Sequence, residues 1–392
     1  MKQISNKYCI YADNAATTKP CPEAIKAAND AFINYGNPSS MHKIGRDARK
    51  IVEEARKTVA KNINAKPSEI VFTSGGTESV NLAILTAAKM GENRGKKHII
   101  TSATEHHATL HTLDALKERG FEITVVPVSE TGIVNHDKIE AAIRPDTILV
   151  TAMYVNNEVG TINLCDYIGE ICDRHDVLYH IDATQAIGHI PLDVEDLRCD
   201  FLSASAHKFH GIKGSGFLFV NRPIKILPQI LGGGQELGRR SGTENVPGIA
   251  AMAAAMDYVC EHLDENEDRL CDVADRIIYE LTEQIPHCEF NGDVQARVPG
   301  IMNFSFKGVE GEAMLVMLEQ AGIYASAGSA CNSKEIEPSH VLTAMGVDKD
   351  MAKSAVRFSL DASITDEEVD YLIKTVKDIV ARLRAFSPTY HE

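Results

Sequence analysis

The chain has 392 residues, 44% of them hydrophobic and 24% charged, the composition of a soluble globular protein able to bury large cores. That length suggests about two or three domains. Forty Lys plus Arg against 55 Asp plus Glu leave a formal net charge of −15, which disfavours a general nucleic-acid or anionic-membrane binder, since both need a basic footprint. Nine cysteines is an odd number, no Cys-x-x-Cys occurs, and no apolar signal stretch follows Met1. These features argue against a secreted disulfide framework, a structural zinc site or an iron–sulfur ligand set. They point instead to free thiols in a reducing cytoplasm, with no metal. No run approaches the roughly eighteen apolar residues of a membrane span.

In chain order, short β-branched runs alternate with helical patterns. Strand-like residues 70–73 precede a helical stretch at 77–90, and further strands are expected at 98–101, 123–126, 147–150, 177–181, 201–203 and 216–220. Near-continuous apolar strands with helices between them predict an α/β domain whose mostly parallel sheet is covered on both faces. After Thr243 the pattern turns helical to about Gln284, then gives strands at 301–306 and 356–360 around a helix near 312–321. Thr365 and Glu368 fit a capping box for a last helix with one apolar face. The expected division is a large domain at 16–259, with 1–15 and 260–392 forming a smaller α+β domain.

Several motifs sit at strand ends. Ser74-Gly75-Gly76-Thr77 joins a strand to a helix and could offer an anion the free N–H groups of a helix N-terminus, although a plain tight turn explains it as well. It lacks the Gly-Lys-Ser/Thr of a P-loop. Asp182 and Gln185 come after a very apolar strand, where parallel sheets place ligands; a helix cap is an even alternative for Asp182. Ser205-Ala206-His207-Lys208 follows one further strand and places Lys208 26 residues after Asp182. A lysine is most often a solvated charge, but an Asp and a Lys on separate strand ends suit pyridoxal phosphate (PLP). The Asp stabilises the protonated ring nitrogen, and the Lys holds the aldehyde. His106 could then lie on the planar ring, whereas His107, His111 and His180 read as satisfied histidines. The amides at 156–157 can bond a ring hydroxyl or a substrate carboxylate. Arg239-Arg240-Ser241-Gly242-Thr243 offers groups for a phosphate. Arg357, inside an apolar strand, wants a carboxylate from substrate or protein. Cys331, in the small and polar run 326–333, is an available loop thiol whose own neighbourhood leaves it ambiguous.

With these residues assembled, the chain resembles the NifS/IscS-type cysteine desulfurases, fold-type-I PLP enzymes of the class-V aminotransferase family. The likeness runs from Tyr11–Thr18 through Gly36–Ser40 to Arg357–Leu360 and includes every motif above. It implies that Lys208 forms the Schiff base, Asp182 pairs with the pyridine nitrogen, Gln185 contacts the ring hydroxyl and His106 stacks on the ring. Gly76, Thr77, Ser205 and His207 match phosphate-cradle positions. Thr243 matches a phosphate contact from the other subunit, so a homodimer with shared active sites is implied. Asn157 contributes to cofactor binding and, with Arg357, matches the positions holding the substrate carboxylate. The run 326–338 resembles the long active-cysteine loop of the NifS/IscS branch, not the short Arg-x-Gly-x-x-Cys form of the SufS branch. The chain stops soon after Leu383–Pro388, where some IscS-type members carry a longer tail that docks a scaffold.

The implied reaction converts L-cysteine to alanine, with Cys331 as nucleophile, Lys208 moving the Cα proton and His106 as acid/base. The sulfur would pass as a persulfide to an acceptor protein for iron–sulfur cluster or thio-cofactor and tRNA biosynthesis. An aminotransferase or selenocysteine lyase on the same fold is the alternative. A catalytically silent assembly module would require loss of Lys208 or Cys331, and both are present.

Overall fold

The computed structural model of the chain describes residues 8–221, 223–327, 338–387 and 390. Short β1 (Ile10–Tyr11) is followed by the strands of a large sheet. These are β2 (Ile70–Thr73), β3 (His98–Ser102), β4 (Glu122–Val126), β5 (Thr147–Met153), β6 (Leu178–Asp182), β7 (Phe201–Ser205) and β8 (Gly216–Val220). Their order is β2-β8-β7-β6-β5-β3-β4; only β8 runs against its neighbours, so the sheet is mostly parallel as the apolar runs predict.

Both faces of this sheet are buried, and the pleat divides its residues between two cores. Ile70, Phe72, Phe217 and Phe219 join one cluster with helices Pro22–Ile33, Lys43–Asn62 and Val246–Glu261, while Val71, Leu218 and Val220 join another beneath helix Gly76–Arg94. Near-absence of exposed alternation in the strands results from this two-sided cover.

A second, antiparallel sheet is built from β9 (Cys288–Asn291), β10 (Ile301–Phe306) and β12 (Val356–Ser359), with β10 in the middle. Parallel to β1 runs β11 (Ile323–Tyr324), so the N-terminal residues return to the C-terminal third. Ile10 and Ala12 share a core with Phe304, Phe358, Leu270 from helix Leu263–Gln284, and the apolar face of helix Asp366–Phe386. The last helix starts at the expected capping box: Glu368 N–H donates to Thr365 Oγ1 while Thr365 N–H donates to the Glu368 carboxylate. The helical run after Thr243 is in fact two helices, broken at His262. Ile10 and Ala12 thus pack with the C-terminal core, whereas Ala15, Val259, Val298 and Ile301 pack with the core of the large sheet. Among the described residues, no helix is long and apolar enough to cross a membrane.

One buried ion pair pins the 231–243 stretch to the large domain. Arg56 donates to both Glu236 carboxylate oxygens at 2.9 and 2.6 Å, and Phe72 N–H donates to the same group at 3.0 Å. Glu236 and its neighbour Leu237 hold φ of 49° and 58°, a left-handed backbone that non-glycine residues adopt at a cost. Removing one member of a buried pair leaves the other charge uncompensated. Glu236→Ala should therefore lower the unfolding free energy by about 3–5 kcal/mol in urea titrations.

Candidate active site

Six strands, β2 to β7, end at the same edge of the large sheet, β2 among them because it lies antiparallel to the one reversed strand. The carboxyl edge of a parallel sheet is where the chain must turn and where its turns converge. Around a cavity of about 300 Å³ at this edge lie Gly76, Thr77, His106, Asn157, Asp182, Gln185, Ser205, His207, Lys208 and Arg357. All but two of the residues to which the resemblance assigns a role are thus brought together. Thr243 is exposed and does not line the cavity, and Cys331 lies outside the described residues.

Each side chain arrives by a local device. Asp182 is the last residue of β6, 5% exposed, with Oδ1 accepting from Thr184 N–H at 3.0 Å. This is a turn, not a helix cap. Lys208 closes a single 3-10 turn after β7 and donates from Nζ to the carbonyls of Ala15 (2.6 Å) and Ala16 (2.9 Å). Gln185 also donates to Ala15 O, at 2.7 Å. That turn after β1, rich in alanine, is a partner that the isolated motifs do not disclose.

His106 occupies the N-cap of helix His107–Glu118, where Nδ1 accepts Ala108 N–H at 3.1 Å. An accepting Nδ1 leaves the proton on Nε2. Burial holds the imidazole below its ordinary pKa, with Lys208 adding to the shift and Asp182 opposing it, so the ring is neutral at pH 7. His207 lies 3.2 Å from Thr17 Oγ1, and burial pushes it down to about 4. His180, by contrast, is a satisfied core histidine between the hydroxyls of Thr151 (2.8 Å) and Ser203 (2.9 Å).

The residues fit PLP. Helix Gly76–Arg94 begins without a side-chain cap, so its first N–H groups face an anion unspent, with Thr77, Ser205 and His207 beside them. Gly75 at φ 151° makes the turn, and a Cβ on Gly76 would stand 2.9 Å from Thr184 Oγ1. Asp182 can face a protonated ring nitrogen, and Lys208 can reach an aldehyde.

Arg357, 2% exposed, has found a protein carboxylate: Nη2 donates to Asp13 at 2.7 Å and Nη1 to Asn157 O at 2.8 Å. Its Nε is buried with no hydrogen-bond partner. Neighbouring Asn156 is structural, with Nδ2 on Thr104 O and Oδ1 accepting from Glu158 and Val159 N–H. Arg240 and Arg239 are spent on Glu78 and on the Ser68 and Ile70 carbonyls.

Sequence reasoning misses Glu105, although a carboxylate between a strand end and two histidines is a signal. It is fully buried, with Oε1 accepting from Ser102 Oγ (2.5 Å) and Met153 N–H (2.9 Å) and Oε2 unpartnered. Burial, with the nearby Asp182 charge, pushes its carboxyl up to about 8 from 4.5.

The chain matches the aminotransferase class-V family over residues 10–372. It is 45% identical over 380 residues to the cysteine desulfurase IscS of Methanosarcina thermophila, covering 97% of this chain and 94% of the relative. The cysteine desulfurase IscS of Dictyoglomus turgidum is 44% identical, over 98% of this chain and 97% of its own. Among solved structures, a NifS-like protein superposes with TM-score 0.90 at 38% identity over 96% of this chain and all of its own. SspA in complex with cysteine gives 0.78 at 34% identity, covering 91% of this chain and 100% of that structure. The chain belongs to the aminotransferase class-V family of PLP-dependent, fold-type-I enzymes. Within that family, the relatives it resembles over almost its whole length are cysteine desulfurases.

Glu105 generates a pH prediction. In the folded state it keeps a proton that the unfolded chain releases above about 4.5, so its contribution to stability is lost as pH rises toward 8. Gln cannot titrate. The unfolding free energy of Glu105→Gln relative to wild type should therefore move in the variant's favour between pH 5 and pH 8.5, measured by urea denaturation at both.

Proposed function

We infer that the protein is a PLP-dependent cysteine desulfurase that converts L-cysteine to alanine and carries the sulfur as a persulfide on Cys331. The observation that carries this reading is the convergence of Asp182, Lys208, His106 and Arg357 on one cavity, in a chain whose full-length relatives are cysteine desulfurases. When bound, PLP supplies an electron sink for charge developing at the substrate Cα.

The chain's own groups divide the remaining work. Gly76, Thr77, Ser205 and His207 hold the cofactor phosphate, Gln185 its ring hydroxyl and Asp182 its ring nitrogen. The two carbonyls on Lys208 Nζ keep the amine pointed into the cavity, from where it takes the Cα proton. Arg357 has donors engaged by Asp13 and Asn157 O and a buried Nε–H still seeking an acceptor, which a substrate carboxylate beside Asn157 would supply. Neutral His106, protonated on Nε2, gives that proton near the sulfur and can then take one back.

The thiolate of Cys331 then attacks the substrate sulfur. An S–S bond forms and the Cβ–S bond breaks, its electron pair staying with the carbon skeleton. Protonation of that skeleton completes alanine, so a thiol and cysteine become a persulfide and alanine.

The sulfur goes on to an acceptor protein for iron–sulfur cluster or thio-cofactor and tRNA synthesis, the first supported by the IscS names of the relatives. A homodimer with shared sites is supported by exposed Phe32, Ile33, Tyr35, Met41, Leu231 and Leu237 and by Thr243 standing outside its own cavity. The eight described cysteines are all unpaired, which suits a reducing compartment.

Incubation of the holoenzyme with L-cysteine should produce alanine and a mass gain of one sulfur at Cys331, and Cys331→Ala should lose sulfur transfer to an acceptor. A keto acid in place of alanine, or transfer at the wild-type rate by Cys331→Ala, contradicts the reading.

A further inference from the structure

The segment that carries Cys331 is bracketed by two flanks whose attachments are described. On the amino side, Ser326 and Arg357 exchange backbone hydrogen bonds, Ser326 N–H to Arg357 O at 3.2 Å and Arg357 N–H to Ser326 O at 2.7 Å. On the carboxyl side, Ser339 Oγ donates to Glu158 Oε2 at 2.5 Å. The same Oγ accepts from Val341 N–H (3.1 Å) and Leu342 N–H (3.3 Å), so its acceptor capacity is used and its one proton is committed to Glu158. His340 comes next, donating from Nε2 to Glu105 O at 3.0 Å.

Glu158 is itself placed from the active-site side. It is 3% exposed, and its backbone is held by Asn156 Oδ1 on its N–H and by Asn303 Nδ2 on its carbonyl. Its immediate neighbour Asn157 lines the cavity and offers its carbonyl to Arg357. The tight turn closed by Gly160 N–H on Asn156 O thus presents Asn157 to the cavity and Glu158 to Ser339. Both flanks of the Cys331 segment are therefore fixed to the residues, or to the next residue, proposed to hold the substrate carboxylate. Nothing in the proposed chemistry requires a carboxylate at position 158. A buried acid is costly to keep there unless its hydrogen bond is needed.

We propose that Glu158 is a positioning residue for sulfur transfer, acting through Ser339 on the carboxyl-terminal root of the segment bearing Cys331. This rests on the reading of Cys331 as nucleophile. A displaced root leaves substrate binding intact, because Asn157 and Arg357 keep their own partners. What it changes is how often the Cys331 thiol is presented productively to a bound sulfur, on which the effective molarity of the attack depends.

The test separates the two steps in the holoenzyme. The absorbance change on adding L-cysteine reports binding, and quenched single-turnover samples report persulfide at Cys331 and alanine. Glu158→Ala and Ser339→Ala should each slow persulfide formation about tenfold or more while the concentration dependence of the absorbance change stays within about twofold. The double variant should be no slower than Ser339→Ala, which removes the shared hydrogen bond together with the cap on Val341 and Leu342. Glu158→Gln, which keeps an acceptor, and Ser339→Thr, which keeps the hydroxyl, should recover most of the rate. If Glu158→Ala does not fold, the Ser339 pair carries the same comparison. Persulfide rates within twofold of wild type in the Ala variants, or equal losses in binding and transfer, or additive losses in the double variant, would overturn the proposal. A wild-type enzyme that makes alanine with Cys331 unmodified overturns the nucleophile assignment itself, whereas normal wild type with unaffected variants overturns the role of Glu158 alone.

Discussion

Everything in the site depends on the parallel register of the large sheet. Met153 on β5 pairs with Asp182 on β6, so those two strand ends are level, and Asp182 pairs with Ser203 on β7, which runs on to Ser205. The turns after those strands then emerge side by side and carry Asn157, Asp182 and Lys208 into one cavity. Single reversed β8 matters as much, because it restores β2 to the common direction and delivers the uncapped helix start at Gly76 to the same edge. No one of these residues is close to another in sequence; the hydrogen-bonded ladder is what makes them neighbours.

Burial then decides what each group can be. His207 and His180 are pushed down to about 4, and His106 is shifted the same way, so the imidazoles stand neutral around a lysine and a carboxylate. Glu105 is driven the other way and holds its proton. Arg357, a cation buried in an apolar strand, is paired with Asp13, which comes across from the N-terminal turn. That ion pair also ties the first described residues to β12, where Asp13 bridges to Ser359. Under the proposed function, a substrate carboxylate would meet an arginine whose charge Asp13 already balances, which favours orientation over raw attraction.

The strands, the final capping box and most of the cavity's polar residues are legible in the sequence because their signals are local: an apolar run, then a glycine pair, an Asp, a His-Lys. Pairings across long separations are not legible. The carbonyl of Ala15 receives Lys208 from 193 positions away. Asp13 meets Arg357 across 344 positions, and Ser339 meets Glu158 across 181. That Arg357 needs a carboxylate is a demand of desolvation, readable in its apolar strand, but a demand does not name its partner. Thr243 shows the converse, a residue recognisable in its motif that stands exposed outside the cavity of its own chain. Cys331 acquires its significance from the company of Asp182 and Lys208, since a thiol among small polar residues has no signature of its own.

The central claim is that Lys208 holds the PLP aldehyde in this cavity. Borohydride reduction of the holoenzyme, which fixes a Schiff base as a stable secondary amine, followed by peptide mass mapping tests it directly. The account requires the pyridoxyl mass on the peptide containing Lys208 and its disappearance in Lys208→Ala; the label on any other lysine would contradict it.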